Sequence, residues 1–264
     1  MDDDKGLTEG NGYGEDYCHA FEATQSSDEG LFGWLYQERI RGTVRAVRRY
    51  VSPGGSVVDL GCASGSTSLA LAHAGFRVTG VDLNPAFLDY ARRREDIAVA
   101  WVCADLMEFR SERLFDAAVM GELVEHSGVP ERLIAATMRV VRPGGILVLT
   151  TPNGQRLRQR LPTFARWVKA HPDRANRPFL GPGGEHHEYL FSRVELATLL
   201  RPGFERLTFQ PLGSIVFNRM TERFLGSRVG RGLLTGVQAA ATAVDPDHFA
   251  NGWLVTARRR SPGA

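Results

Sequence analysis

The chain has 264 residues, 43% of them hydrophobic and 23% charged, with a formal net charge of +2 and three cysteines. That length suits one α/β unit with a large core, and the composition excludes a disordered chain, a collagen-like repeat and a disulfide scaffold. The longest near-apolar stretches, Gly145–Leu149 and Gly232–Val244, fall well short of the roughly 20 residues that span a bilayer. The acidic start Met1-Asp2-Asp3-Asp4-Lys5 lacks the basic and then apolar pattern of a secretory signal. Cys18, Cys62 and Cys103 have no C-x-x-C spacing, which suits a reducing compartment. A cytoplasmic protein with no membrane partner is expected.

Taken in chain order, residues 1–30 carry nine acids against Lys5 alone, and their Gly-rich polar sequence predicts a mobile N-terminal segment. Residues 31–50 have apolar side chains at helical spacing and end at Pro53-Gly54-Gly55. Short β-rich runs follow at Ser56–Leu60, Arg77–Val81, Val99–Cys103, Phe115–Met120 and Ile146–Thr150, with helical segments at Ser66–Ala74, Pro85–Arg94 and Pro130–Val141. Such alternation predicts βαβ units around a buried parallel sheet. Asn84-Pro85 supplies a cap and a first-turn proline. Beyond Thr151 the alternation lapses, and it resumes at Ser192-Arg193-Val194-Glu195, which has capping-box form. Late strands are expected at Phe204–Phe209 and Gly252–Ala257, with a helical Asn218–Val244 between them. Residues 31–264 thus read as one domain, with insertions at about 155–190 and 212–247 forming an acceptor pocket or lid.

The most informative segment is Val57-Val58-Asp59-Leu60-Gly61-Cys62-Ala63-Ser64-Gly65-Ser66, a buried strand that breaks into a small-residue loop and then a helix. Glycines let a ligand approach the backbone there, at the carboxyl edge where open α/β sheets bind ligands. Asp82 follows Gly61 by 21 residues at the end of the second strand, where a carboxylate can accept bonds from two ribose hydroxyls. Asp105, past the third strand, is placed to receive an adenine amino group. A dinucleotide fingerprint would want glycines at 61, 63 and 66, where this chain has Gly61, Ala63 and Ser66. That disfavours a nicotinamide-dependent oxidoreductase.

Taken together, Asp59-x-Gly61-x-x-x-Gly65, Gly80-Val81-Asp82-Leu83-Asn84-Pro85, Ala104-Asp105-Leu106, Phe115-Asp116 and Arg142-Pro143-Gly144-Gly145 resemble the core of a class I S-adenosylmethionine-dependent methyltransferase. The resemblance covers residues 56–152. It implies a Rossmann-like α/β fold, a seven-stranded, mostly parallel sheet with helices on both faces, and S-adenosyl-L-methionine as cofactor. By position, Asp59, Gly61 and Gly65 would line its methionine part, Asp82 its ribose, and Asp105 with Leu106 its adenine. Ala63, Leu83 and Gly121 complete the expected cofactor set. The departure is Ala63, where many members have glycine.

After the fourth strand comes Gly121-Glu122-Leu123-Val124-Glu125-His126. If Glu122 opens a helical turn, Glu125 and His126 share its face. Three readings are open. These residues, with His186 or His187 from Gly184-Glu185-His186-His187-Glu188, hold Mg²⁺ or Mn²⁺; or His126 is a general base, with Glu125 and His187 as catalytic partners; or they cap and pack. Glu-x-x-Glu-His with a later histidine resembles the ubiquinone-pathway O-methyltransferases, and more weakly the small-RNA 2′-O-methyltransferases. The expected reaction is therefore O-methylation of a small-molecule hydroxyl. A metal-dependent methyltransferase of an RNA 3′ end, an N-methyltransferase and a non-catalytic cofactor-binding protein are the alternatives. Nucleic acid enters because Arg156, Arg158, Arg160, Arg166, Lys169, Arg174 and Arg177 face one acid, Asp173; a solvated surface explains the same run. Phe164, Trp167, Phe179 and Tyr189 are candidates to line the acceptor pocket.

Overall fold

A computed structural model describes residues 31–94, 96–176, 187–214 and 228–261. Helix α1 (Leu31–Tyr50) precedes strand β1 (Ser56–Leu60), helix α2 (Ser66–His73) and strand β2 (Arg77–Asp82). Helix α3 (Pro85–Arg93) starts as the sequence predicts, the Asn84 side chain accepting the Ala86 N–H at 2.9 Å. Strands β3 (Ala100–Cys103) and β4 (Phe115–Gly121) follow, then a single 3-10 turn (Val124–His126), helix α4 (Pro130–Val140) and strand β5 (Val141–Pro152). The second half holds α5 (Phe164–Ala170), α6 (Arg193–Leu200), β6 (Phe204–Ser214), α7 (Arg228–Val244), α8 (Pro246–Phe249) and β7 (Ala250–Arg259). The capping box at α6 is present, with Ser192 and Glu195 each bonding the other's backbone.

The seven strands run in the order β3-β2-β1-β4-β5-β7-β6. β1 pairs parallel with both β2 and β4, and β7 is antiparallel to both β5 and β6. The chain therefore steps outward from β1 to β3 and returns to β1's other side at β4. A crevice at that switch point is the usual ligand site of an open α/β sheet. Side chains alternate between two cores: Val57, Val119 and Val148 pack with Val47 of α1 and Leu71 of α2, whereas Val58, Met120 and Leu149 pack with Leu133 of α4 and Leu196 of α6. Helices thus cover both faces, as the near-continuous apolar runs of these strands require.

Two expectations need correction. Pro143-Gly144-Gly145, whose composition predicts a turn feeding the fifth strand, lies inside β5, with a register shift between Phe115 and Ala117 of the paired β4. Trp167 and Tyr189, expected beside a pocket, are buried in the core with Phe191, because apolar rings left over by an insertion gain most by joining the existing core. The predicted helix Asn218–Val244 is described only from Arg228. Over that part it leaves Val229, Leu233, Val237 and Val244 exposed. Residues 1–30, His186 and Phe179 lie outside the described residues.

Candidate functional site

The loop after β1 opens its backbone toward the crevice by three left-handed residues, Gly61 (φ 71°), Ala63 (φ 45°) and Gly65 (φ 81°). At Gly65 a Cβ would lie 2.5 Å from the Trp101 ring, so glycine is required by space as well as by backbone angle. Ala63 tolerates its left-handed angle because Asp82 holds it: Asp82 Oδ2 accepts the Ala63 N–H at 2.8 Å and Oδ1 accepts the Asn84 N–H at 2.9 Å. Each carboxylate oxygen keeps a lone pair for a ligand hydroxyl. Burial raises the Asp82 pKa, opposed by these backbone donors.

Asp59 is buried and accepts the Ser68 hydroxyl at 2.7 Å; burial first, and repulsion from Asp82, push its pKa up to about 6. Leu83, next to Asp82, is 43% exposed, an apolar side chain at a position suited to stacking under a base. Asp105 uses Oδ1 to accept the Met107 N–H at 2.8 Å and so shapes its own turn. Leu106 differs from expectation: its side chain is in the core cluster with Val81 and Met120. Gly121 has open space where a side chain would be, with only Thr150 Oγ1 within reach at 3.8 Å. Left-handed loop residues, a ribose-type carboxylate and an exposed apolar neighbour make a cradle that fits an adenosyl ligand.

Beyond Gly121 the predicted helical face does not form. Glu122 has a left-handed φ of 50° and donates its N–H to Thr150 O, so the helical turn starts only at Val124. Glu122 pairs instead with Arg39 of α1 at 3.5 Å. Glu125, His126 and His187 do converge, their ligand-type atoms lying within 4.8 Å of one another. Glu125 is fully buried; Oε2 accepts the Thr151 hydroxyl at 3.0 Å, Oε1 lies 3.8 Å from His187 Nε2, and Oε1 has no hydrogen-bond partner among the described residues. Burial and the nearby Glu122 drive the Glu125 pKa well above the usual carboxylate range. His126 Nδ1 is also buried without a hydrogen-bond partner among the described residues, and burial, then His187, lowers the His126 pKa to about 4. Of the five sequence-predicted ligands, the structure gathers three and sets Glu122 apart.

The turn that carries Glu125 and His126 is held from the insertion. Tyr189, fully buried, directs its hydroxyl to Ser127 O at 2.7 Å and Val124 O at 3.1 Å, gripping both ends of the turn. Sequence reasoning missed Arg39 and this role of Tyr189, and it named Thr151 only within Thr150-Thr151-Pro152-Asn153, without its bond to Glu125. Tyr189 carried a signal in its place two residues after His187; Arg39 carried none. The basic run is not a uniform face either: Arg174 bonds Glu131 and Gly128 O and lies over the Phe164 ring.

Residues 58–149 match the model of a family described as a methyltransferase domain. A ubiquinone biosynthesis O-methyltransferase of Xanthomonas campestris pv. campestris is 31% identical over 205 residues, covering 75% of this chain and 79% of that protein. The chain belongs to the class I S-adenosylmethionine-dependent methyltransferases. It is therefore an enzyme, and its cofactor is S-adenosylmethionine. Among solved structures, phosphoethanolamine N-methyltransferase 2 of Haemonchus contortus with S-adenosyl-L-methionine has a TM-score of 0.59 at 18% identity, covering 94% of this chain and 58% of that one. The N-methyltransferase NodS of Bradyrhizobium japonicum WM9 with S-adenosyl-l-homocysteine has a TM-score of 0.53 at 16% identity, covering 86% and 88%. At those identities the two structures share the methyltransferase's fold alone.

Proposed function

We propose that this methyltransferase acts on a hydroxyl oxygen of a small molecule, and that Glu125, His126 and His187 manage the acceptor's proton. One observation carries the reading: a carboxylate and two imidazoles converge, with Glu125 Oε1 and His126 Nδ1 left without hydrogen-bond partners among the described residues. The name of the Xanthomonas relative supports oxygen as the accepting atom. When bound, S-adenosylmethionine supplies an electrophilic methyl on a sulfonium. Asp82 would hold the ribose hydroxyls, Leu83 and Asp105 would receive the base, and the open backbone from Gly61 to Gly65 would admit the methionine part. The chain's remaining tasks are to orient the acceptor oxygen in line and to remove its proton. His126, kept neutral by its burial, accepts that proton at a free ring nitrogen.

The same three side chains fit a divalent cation, which would lower the pKa of a bound hydroxyl. Glu125, His126 and His187 would be its ligands. One carboxylate and two imidazoles suit Mn²⁺ better than Mg²⁺, which prefers oxygen donors; the second carboxylate, Glu122, is engaged by Arg39.

The test is Glu125→Gln, assayed by product mass spectrometry with aromatic diols and amines as acceptors. The variant is expected to bind S-adenosylhomocysteine as wild type does, and to lose at least about 100-fold in transfer to a hydroxyl. Undiminished transfer, or methylation of amines alone, overturns the reading. Chelation followed by Mn²⁺ separates the two forms: a metal role predicts loss and recovery of activity, a base role predicts neither.

A further inference from the structure

The carboxyl end of β5 runs into Asn153, whose amide is buried and fully engaged. Its Nδ2 donates to Asp247 O at 2.8 Å and Ala250 O at 3.0 Å, and its Oδ1 accepts the Gln155 N–H at 2.9 Å. This knot turns the chain so that Arg156 lies half-buried beside the start of β7. There Arg156 Nη1 makes one long bond, 3.4 Å, to Asn251 Oδ1. Arg39, Arg142, Arg174 and Arg193 each have a carboxylate partner; Arg156 has none among the described residues. Its burial goes uncompensated, and burial alone lowers its pKa. A half-buried guanidinium whose planar fork meets one distant amide oxygen and no carboxylate is an incomplete anion site.

Its place in the fold says which molecule completes it. A Cβ on Gly213 would lie 2.6 Å from Leu35 Cδ2 and 3.3 Å from Asn251 Nδ2, so Leu35 of α1 borders the Arg156–Asn251 pair. One helical turn along α1, about 6 Å, Arg39 meets Glu122. Arg156, which follows the carboxyl end of β5, therefore lies at the same edge of the sheet as the Glu125 cluster, which follows β4, the next strand. The loop that takes the cofactor's methionine part follows β1, one strand further off.

We propose that Arg156 anchors a carboxylate or phosphate carried by the methyl acceptor, at the opposite end of the acceptor from the hydroxyl that is methylated. This rests on the hydroxyl reading above. It narrows the acceptor to an anionic small molecule, gripped by the fork of the guanidinium.

The test uses the full chain saturated with S-adenosylhomocysteine and four probes: catechol, 3,4-dihydroxybenzoate, benzoate and phenyl phosphate. Calorimetry on wild type should show 3,4-dihydroxybenzoate binding at least tenfold tighter than catechol, with benzoate or phenyl phosphate competing. Arg156→Gln should equalise the two diols without changing affinity for S-adenosylhomocysteine or the melting temperature, and Arg156→Lys should restore part of the preference. Equal binding of the diols to wild type, a preference that survives in Arg156→Gln, or failure of every anionic probe to bind overturns the proposal. A drop in S-adenosylhomocysteine affinity in Arg156→Gln also overturns it, by assigning the residue to the cofactor's carboxylate. Transfer assays on the same samples keep the two readings apart. Methylation of both diols without preference leaves the hydroxyl reading standing and removes Arg156; an anion preference without methylation of either does the reverse.

Discussion

Asp59 shows at a single residue how a ligand site costs stability. Its carboxyl is buried near Asp82, and its folded pKa of about 6 exceeds the ordinary 3.8. Below 3.8 both folded and unfolded states hold it protonated, so it contributes nothing. As pH rises from 3.8 to 6 the unfolded chain releases the proton first and stability falls; above 6 the loss is complete, roughly 2–3 kcal/mol. Asp59→Asn is therefore expected to raise the melting temperature of the ligand-free protein at pH 7.5 and to leave it nearly unchanged at pH 4, while weakening S-adenosylhomocysteine binding. Melting curves at the two pH values decide it; equal effects at both would mean that Asp59 ionises normally. Asp82 was legible in the sequence from its strand-end position, and Asp59 from the motif Asp59-x-Gly61-x-x-x-Gly65 that carries the family resemblance. The hydrogen bonds from Ser68 and Ala63 were not, since they depend on how the loop folds back.

At the scale of the element, the decisive piece is the 3-10 turn Val124–His126. Helical spacing from Glu122 suggested one shared face, but the left-handed Glu122 breaks the helix before it starts. What brings Glu125, His126 and His187 together is the segment at Tyr189, which returns from the insertion and grips the turn's carbonyls. Tyr189→Phe removes that grip while keeping the ring's contacts with Phe164, Trp167 and Phe191. Losing the hydroxyl leaves buried carbonyls short of a donor, which costs about 1–3 kcal/mol. The expected result is a lower melting temperature, unchanged S-adenosylhomocysteine affinity and shifted His126 and His187 side-chain resonances. Unmoved histidine resonances would show that the turn holds its shape without Tyr189.

For the whole molecule, the strand order β3-β2-β1-β4-β5-β7-β6 puts the Gly61 loop and the Gly121–Glu122 corner on either side of one crevice. Among the described residues no helix is long and apolar enough to cross a membrane. A ligand at a hundredfold its dissociation constant stabilises the fold by about 2.7 kcal/mol, which for a chain of this size is roughly 5–10 °C. S-adenosylhomocysteine should give a thermal shift of that size and NAD none. In Asp82→Ala the shift should largely disappear, and the ligand-free protein should melt lower, because Asp82 also ties the loop at Ala63 to the helix cap at Asn84. A full shift in that variant would remove Asp82 from the cofactor site.

The sequence by itself determined the βαβ alternation, the loop from Asp59 to Gly65, the strand-end Asp82 and Asp105, and hence the fold and the cofactor. These are local signals: periodicity, turn residues and a strand-to-helix break act within about ten residues of chain. Only the tertiary structure decided that Leu106 and Trp167 face the core, that Glu122 turns to Arg39 rather than to Glu125, and that His187 arrives beside His126, 61 residues away in the chain. Those outcomes depend on which buried polar groups find partners once the sheet has closed. Contacts between distant segments set that balance, and no local pattern encodes it.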